Sequence, residues 1–392
     1  MYKVCSIFSQ VLKLFSRGEF EKAVKEHKAE RHARGFTSWG QFMAMLFCQL
    51  GRAHSLREIC GGLACCEGQL KHLGVPTAPK RSTLAYANEN RPWELYQTVF
   101  EQTLFKCREL VASQGGRKKF RFKNKLMSLD GSIIDLSVSM FDWAKFRRTK
   151  GAIKLHLLLD HDGYLPSFAV VTEGKTSEIK VARTLRFAPG TILAIDRGYN
   201  DYQWFRELTQ EDVYFVTRMK EKAVYEVKEA LQVPQKSNVV SDQMICFPRL
   251  AQEVEEPVLF RRVEIWDAEK QEAMVFLSNL LAFGATTIAA VYKDRWQVEL
   301  FFKALKQNLR VKTFVGTSEN ALQTQIWTAL IAILLIKYLQ LRSTFGWSLS
   351  NLVALLRQQL FVYRDLWQWI DSPFQPPPEL DLVAEQMTLG LE

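Results

Sequence analysis

The chain has 392 residues, 47% of them apolar and 24% charged. That balance excludes a disordered chain and supplies enough apolar surface for a sizeable core. The formal charge is +10, yet residues 1–125 hold 22 basic and 10 acidic side chains, or +12, which leaves 30 and 32, or −2, for the remainder. A positive excess confined to the first third points to nucleic acid or another anionic surface as a partner.

Seven cysteines without a repeating spacing argue against a disulfide scaffold and for a reducing compartment. The opening Met1–Cys5 lacks the basic-then-apolar build of a secretory leader. The longest apolar run, residues 326–336, is half the roughly 20 residues that a membrane crossing needs. It reads as a core helix, and no membrane contact is expected.

Residues 1–112 read as an α-helical DNA-binding domain. Ser38-x-x-Gln41 has the form of a capping box ahead of an apolar pattern through Phe42, Leu46 and Leu50. Ser55-x-x-Glu58 offers a second box, a short helix follows Ser82, and Asn90-Arg91-Pro92 introduces a longer helix to about Val111. Short helices with tight turns in a basic region fit a helix-turn-helix type of module. Residues 113–125 form a basic linker able to lie along phosphates.

From Leu126 the pattern changes. Leu126–Leu136 is apolar on both faces, as in a central buried strand. Ile153–Leu159 and Leu165–Thr172 form a hairpin around the turn Asp160-His161-Asp162-Gly163. A helix near 177–185 precedes the buried strand Thr191–Asp196; a helix near 202–208 then leads to the strand Val213–Thr217. Strands with helical crossovers make a mixed α/β sheet, assigned to 126–218 and 285–345. Residues 219–284 read as an all-β insertion with strands near 224–227, 239–247, 258–266 and 274–277. Helices follow at 286–309, 321–341 and 349–369, and residues 346–392 are taken as a C-terminal helix with a stiff Pro-rich tail, Ser372–Pro378.

Two carboxylates stand out. Asp130 lies in mid-strand among Leu129, Ile133 and Ile134, where an ionised group needs a cation or several donors. Asp196 ends an apolar strand just before a glycine turn, the edge at which α/β sheets gather ligands. Either alone reads most simply as a salt-bridged structural aspartate. The segment 292–306 changes that balance. On a regular helix, Tyr292, Arg295, Glu299 and Lys306 fall within an arc of about 60°. One stripe therefore carries a hydroxyl, a carboxylate and two cations, flanked by Val298, Leu300, Phe301 and Leu305.

With these residues the sequence resembles the DDE transposases of bacterial insertion sequences, specifically the insertion-sequence-four family. Its Tyr-(2)-Arg-(3)-Glu-(6)-Lys signature is met by Tyr292, Arg295, Glu299 and Lys306, and Asp130 and Asp196 match the two acidic positions in order and context. The resemblance covers residues 126–310. It implies an RNase H-like catalytic domain that uses Asp130, Asp196 and Glu299 as catalytic ligands of two divalent ions, Mg²⁺ or alternatively Mn²⁺. Three carboxylates suit such hard cations, and two metals serve phosphodiester cleavage. The resemblance further implies Tyr292, Arg295 and Lys306 as DNA contacts and cut-and-paste chemistry through a hairpin intermediate. Its expected partners are double-stranded DNA, both terminal repeats and target, bound by a homodimer on paired ends. The setting it implies is cytoplasmic and nucleoid-associated, in a bacterium. It also implies a base-stacking aromatic in the insertion, where Trp266 is the sole tryptophan; a core or strand-end tryptophan is the plainer reading. A catalytically inactive DNA-binding derivative and a metal-dependent nuclease are the alternatives.

Other groups carry less. Asp135 is an odd number of residues from Asp130 and faces the other way on a regular strand. Asp160 and Asp162 read as turn residues. Cys60, Cys65 and Cys66 with His54 and His72 lack a paired zinc spacing and read as structural thiols. Neither a Walker-type loop nor a Gly-x-Ser-x-Gly elbow occurs.

Overall fold

The computed structural model describes residues 5–31, 33, 35–66, 68, 70–114, 119–136, 145–147, 150–235, 237–248, 258–308 and 314–375. Part of the basic linker, 115–118, and everything from 376 onward, including Pro376–Pro378 of the Pro-rich tail, lie outside the described residues.

The first third is helical: α1 (Ile7–Leu12), α2 (Arg17–Glu26), α3 (Ser38–Gly51), α4 (Leu56–Ala64), α5 (Arg81–Asn90) and α6 (Glu94–Ser113). Ser6, Ser16, Thr37 and Ser55 cap the first four, each accepting from the backbone N–H three residues on. The cap of α3 is thus Thr37, not Ser38. Gln41 does not close a box there. It is fully buried, donates to Asn88 Oδ1 at 2.9 Å and accepts from Arg91 Nη1 at 3.3 Å, because an interior amide needs partners.

The sheet begins with β1 (Leu126–Leu136), β2 (Lys145–Arg147), β3 (Lys150–Asp160) and β4 (Leu165–Glu173). It continues through α7 (Glu178–Ala182), β5 (Ile192–Ile195), α8 (Tyr202–Gln210) and β6 (Tyr214–Arg218). β1 runs antiparallel to β3 and parallel to β5, which is parallel to β6. Three parallel strands flanked by the antiparallel β3–β4 hairpin give the RNase H-like mixed sheet. At the hairpin turn Gly163 has φ of +78° and lies so close to α6 that a Cβ would come within 2.7 Å of Val111.

The all-β stretch supplies β7 (Glu226–Ala230), β8 (Val239–Cys246), β9 (Phe260–Asp267) and β10 (Glu272–Ser278). It extends the same sheet rather than closing on itself: β10 pairs β6, and β9, β8 and β7 follow outward. A buried ion pair, Arg261 to Asp242 at 2.6 Å, fastens β9 to β8. Lone buried charges are costly, and Arg261 is further satisfied by the carbonyls of Leu281 and Phe283.

Five helices close the described chain: α9 (Ala285–Asp294), α10 (Trp296–Asn308), α11 (Glu319–Arg342), α12 (Leu349–Gln359) and α13 (Leu366–Asp371). Two sequence expectations change here. The helix expected over 286–309 breaks at Arg295, and the one over 349–369 breaks between α12 and α13. The second break occurs because residues 360–362 turn aside to accept from α1, Phe8 N–H to Leu360 O at 2.7 Å and Ile7 N–H to Val362 O at 3.0 Å.

α11 is long and apolar enough to cross a membrane, but 83% of its most apolar window is buried inside the protein. It packs between the N-terminal helices and the sheet, in one apolar cluster with Phe8, Phe42, Phe100, Leu155 and Leu352. The two faces of the central strands are covered separately. Leu129, Ile195 and Phe215 pack under α8, and Leu126, Ile192 and Val216 pack under α9. Asp130 follows Leu129, so by strand alternation it lies on the α9 face.

Candidate active site

β1 and β5 bring the two aspartates together by register. Their last paired residues are Leu129 and Ile195. Asp130 and Asp196 each come next in their strands, so they stand side by side and point to the same face. Glu299 arrives from above on α10. The break at Arg295 aims it, because the backbone bonds tighten there: Arg295 N–H to Tyr292 O at 3.1 Å and Val298 N–H to Arg295 O at 3.0 Å.

Arg295 occupies the centre. Its guanidinium lies 2.5 Å from Glu299 Oε1 and 3.5 Å from Asp130 Oδ2, and the residue is only 8% exposed. Burial opposes its charge, but Tyr292, Asp130 and Glu299 outweigh burial and hold its pKa above the ordinary value. Asp130 shows the converse. Burial pushes its carboxyl up to about 6, against Arg295 and the Gly131 N–H, with the charges of Asp196 and Glu299 adding to the rise. The three carboxylates therefore feel one another even with the Arg295 cation among them.

The other expected residues divide. Tyr292 stacks its ring 5.4 Å from the Arg295 guanidinium and 4.9 Å from the Phe276 ring, so it backs the arginine. Lys306 reaches down to β1 and donates to Ile133 O at 2.7 Å. Trp266 stands apart. It pairs Ala273 at the outer end of the β9–β10 hairpin and is 43% exposed. Counted along the register it lies three strands and about three residues from Asp196, roughly 14 Å across and 10 Å along. It occupies the same edge of the sheet as the carboxylates.

Several groups at the site were not singled out from the sequence. Tyr199, 1% exposed, has a hydroxyl without a partner, and burial followed by the charges of Asp130, Glu178 and Asp196 raises its pKa. Behind Gly131 sit buried Lys154, which donates to Glu178 Oε1 at 2.8 Å, and His156, which burial pushes down to about 4. Trp296, which follows Arg295 at the start of α10, is 56% exposed. The aromatic after the signature arginine was the one available sequence signal for it. The side chain of Asp135 lies outside the described residues. Asp160 pairs Lys125 at 2.8 Å and accepts from Asp162 N–H, and so serves the turn.

Among the described residues no three acidic, histidine or cysteine side chains stand at metal-ligand spacing. The donor set nevertheless suits a hard divalent cation: carboxylate oxygens from two strands and a helix, a desolvated Asp130, and the buried, unpartnered hydroxyl of Tyr199.

Comparison with known proteins fixes the class. The family described as "Transposase DDE domain" matches residues 128–335, over half of the chain, and the chain belongs to that family. It is a DDE transposase of the insertion-sequence-four type, an enzyme that cleaves and joins DNA and depends on divalent metal. Residues 4–76 match a domain of unknown function, DUF4372. A Sinorhizobium fredii protein named as a transposase, y4zB, is 28% identical over 329 residues, 82% of this chain and 88% of that protein. A Geobacillus stearothermophilus protein named as a transposase for insertion sequence element IS5377 is 28% identical over 260 residues, 66% of this chain and 67% of that protein. A cryo-EM structure of the piggyBac transposase synaptic complex with hairpin DNA has a TM-score of 0.45 at 10% identity, covering 95% of this chain and 82% of that one.

Proposed function

We propose that the chain is a cut-and-paste transposase. It recognises the terminal repeats of its element, cuts them through a hairpin intermediate and joins the 3′-OH ends to target DNA as a homodimer on paired ends, in the cytoplasm at the nucleoid. Asp130, Asp196 and Glu299 are its catalytic ligands for two Mg²⁺ or Mn²⁺ ions. The observation that carries this reading is the parallel register of β1 and β5, which sets two aspartates side by side beneath the glutamate of α10. When bound, the ions would activate water or a 3′-OH and neutralise the phosphate.

The protein's own part is to hold and orient. In hydrolysis a water oxygen bonds to phosphorus, the P–O3′ bond breaks, and the departing oxygen takes a proton. The 3′-OH then repeats the displacement on a second phosphodiester. The carboxylates fix the reacting face of the phosphate on the sheet. Arg295 balances two carboxylates in the DNA-free protein and is placed to turn its fork toward a phosphate oxygen. Tyr292 limits its swing, and Lys306 braces α10 against β1 or meets the backbone of the DNA end. Exposed Trp266 on the sheet edge and exposed Trp296 on α10 offer base-stacking faces.

End-bearing DNA, Mg²⁺ and a target plasmid test the reading. Asp130→Ala, Asp196→Ala and Glu299→Ala should each lower cleavage by at least about a thousandfold and leave end binding within about twofold. Near-normal cleavage by any one removes that residue from the site. Binding without cleavage by the unaltered protein would favour an inactive DNA-binding derivative, and cleavage without joining a nuclease.

A further inference from the structure

Beneath the carboxylates lies a buried hydrogen-bond chain that the reaction as proposed leaves unused. Ser128 Oγ meets His161 Nε2 at 2.7 Å, and His161 Nδ1 meets Asp294 Oδ2 at 2.7 Å. Asp294 also accepts from Lys119 Nζ at 2.5 Å and from Tyr164 Oη at 3.4 Å. The side chains of His161 and Asp294 are 6% and 1% exposed, and Ser128 is fully buried. Asp294 Oδ2 accepts from the Nδ1–H of the ring, which turns Nε2 to the serine hydroxyl. The order Ser–His–Asp is that of a hydrolytic triad, but a sealed serine cannot reach a substrate.

Its position in the fold gives the chain a different role. Ser128 precedes Asp130 by two residues on β1 and shares its face. Asp294 ends α9, directly before Arg295 and five residues before Glu299. His161 is fixed at the end of β3 by its own N–H to Leu126 O at 3.0 Å. The chain therefore ties the strand of the first carboxylate to the helix break that aims the third. A second polar tie between these elements, Arg295 to Asp130, runs through the carboxylate itself and is given up once Arg295 grips a phosphate.

We propose that His161 is a positioning residue: with Ser128 and Asp294 it clamps the α9–α10 break to β1 and keeps Glu299 opposite Asp130 while Arg295 is engaged with DNA. The proposal rests on the carboxylate reading above.

The test uses the full chain with Ser128→Ala, Asp294→Asn, the double variant, and Asp130→Ala as reference. Four quantities are read: Mn²⁺ binding to the DNA-free protein by electron paramagnetic resonance, nicking across an Mg²⁺ titration, end binding without metal, and melting temperature. Each single variant should raise the half-saturating Mn²⁺ concentration about tenfold and slow nicking about tenfold, with end binding unchanged. The double variant should be no worse than the worse single one, because both cut one chain. Should Asp294→Asn melt early, Ser128→Ala, which removes a single oxygen, carries the test. Unchanged Mn²⁺ binding and nicking in both singles, or losses that multiply in the double, would overturn the proposal. If Asp130→Ala also binds Mn²⁺ normally, the carboxylate reading falls first; if only the relay variants do, the relay alone falls.

Discussion

Replacing Asp130 by Asn should make the metal-free protein more stable while abolishing its activity. The carboxyl is raised from 3.8 to about 6, chiefly by burial. A raised folded-state pKa means that the fold is favoured by the protonated form. The stability it confers is complete below pH 3.8 and is lost as pH rises through about 6. At pH 7.5 the ionised carboxylate costs about 3 kcal/mol, taking about 1.4 kcal/mol per tenfold change in protonation. At pH 4.5 the cost is about 1 kcal/mol. Asn keeps the shape and can still accept from Gly131 N–H, although its buried amide retains part of the desolvation cost. The expected gain is therefore about 1–3 kcal/mol at pH 7.5, shrinking at least twofold at pH 4.5. Urea denaturation of both proteins without divalent ions reads it. Adding Mg²⁺ should then stabilise the unaltered protein and not the variant, since a ligand that binds only the folded state adds to its stability. A variant less stable at pH 7.5, or a gain that persists undiminished at pH 4.5, would refute the assignment of Asp130 as a desolvated carboxylate awaiting a cation.

Residues 1–114 expressed alone should show no cooperative thermal transition, because α3 and α6 share their apolar faces with α11, whereas the full chain should melt cooperatively; a sharp melt of the fragment would contradict the shared core. Trp266→Ala should leave first-strand nicking intact and depress hairpin formation about tenfold, the worth of about 1.4 kcal/mol of lost base stacking. An abasic site near the transposon end should partly restore the hairpin, and equal hairpin yields in variant and parent would rule out stacking by Trp266.

What the sequence disclosed depended on whether the signal was local. The strands around Asp130 and Asp196 were legible because their apolar runs and turns are short-range patterns. The stripe Tyr292–Lys306 was legible as helix, but its break at Arg295 was not, since every residue there tolerates helix. The break comes from tertiary bonds: Asp294 to Lys119 and His161, Arg295 to Asp130. Ser128 and Asp294 were invisible for the same reason, standing 33 and 133 residues from His161. Nor does an apolar helix face name its partner. α11 read as a core helix, and only the fold reveals that it anchors the basic N-terminal helices.

The tie between α1 and residues 360–366 governs when α1 can join the fold. Gln10 in α1 donates to Arg364 O at 2.6 Å and accepts from Leu366 N–H at 2.9 Å, across 354 and 356 residues, and Ser6 bridges Tyr363. At roughly 5–20 residues per second a ribosome needs on the order of 20–70 s to deliver those partners after α1 has emerged. Until then the groups of α1 that pair with residues 360–366 stay wet, open to chaperones and proteases. A product ending anywhere before Leu360 lacks the partners of α1. Emergence of residues 360–366 is thus the step at which α1 can take its place in the fold.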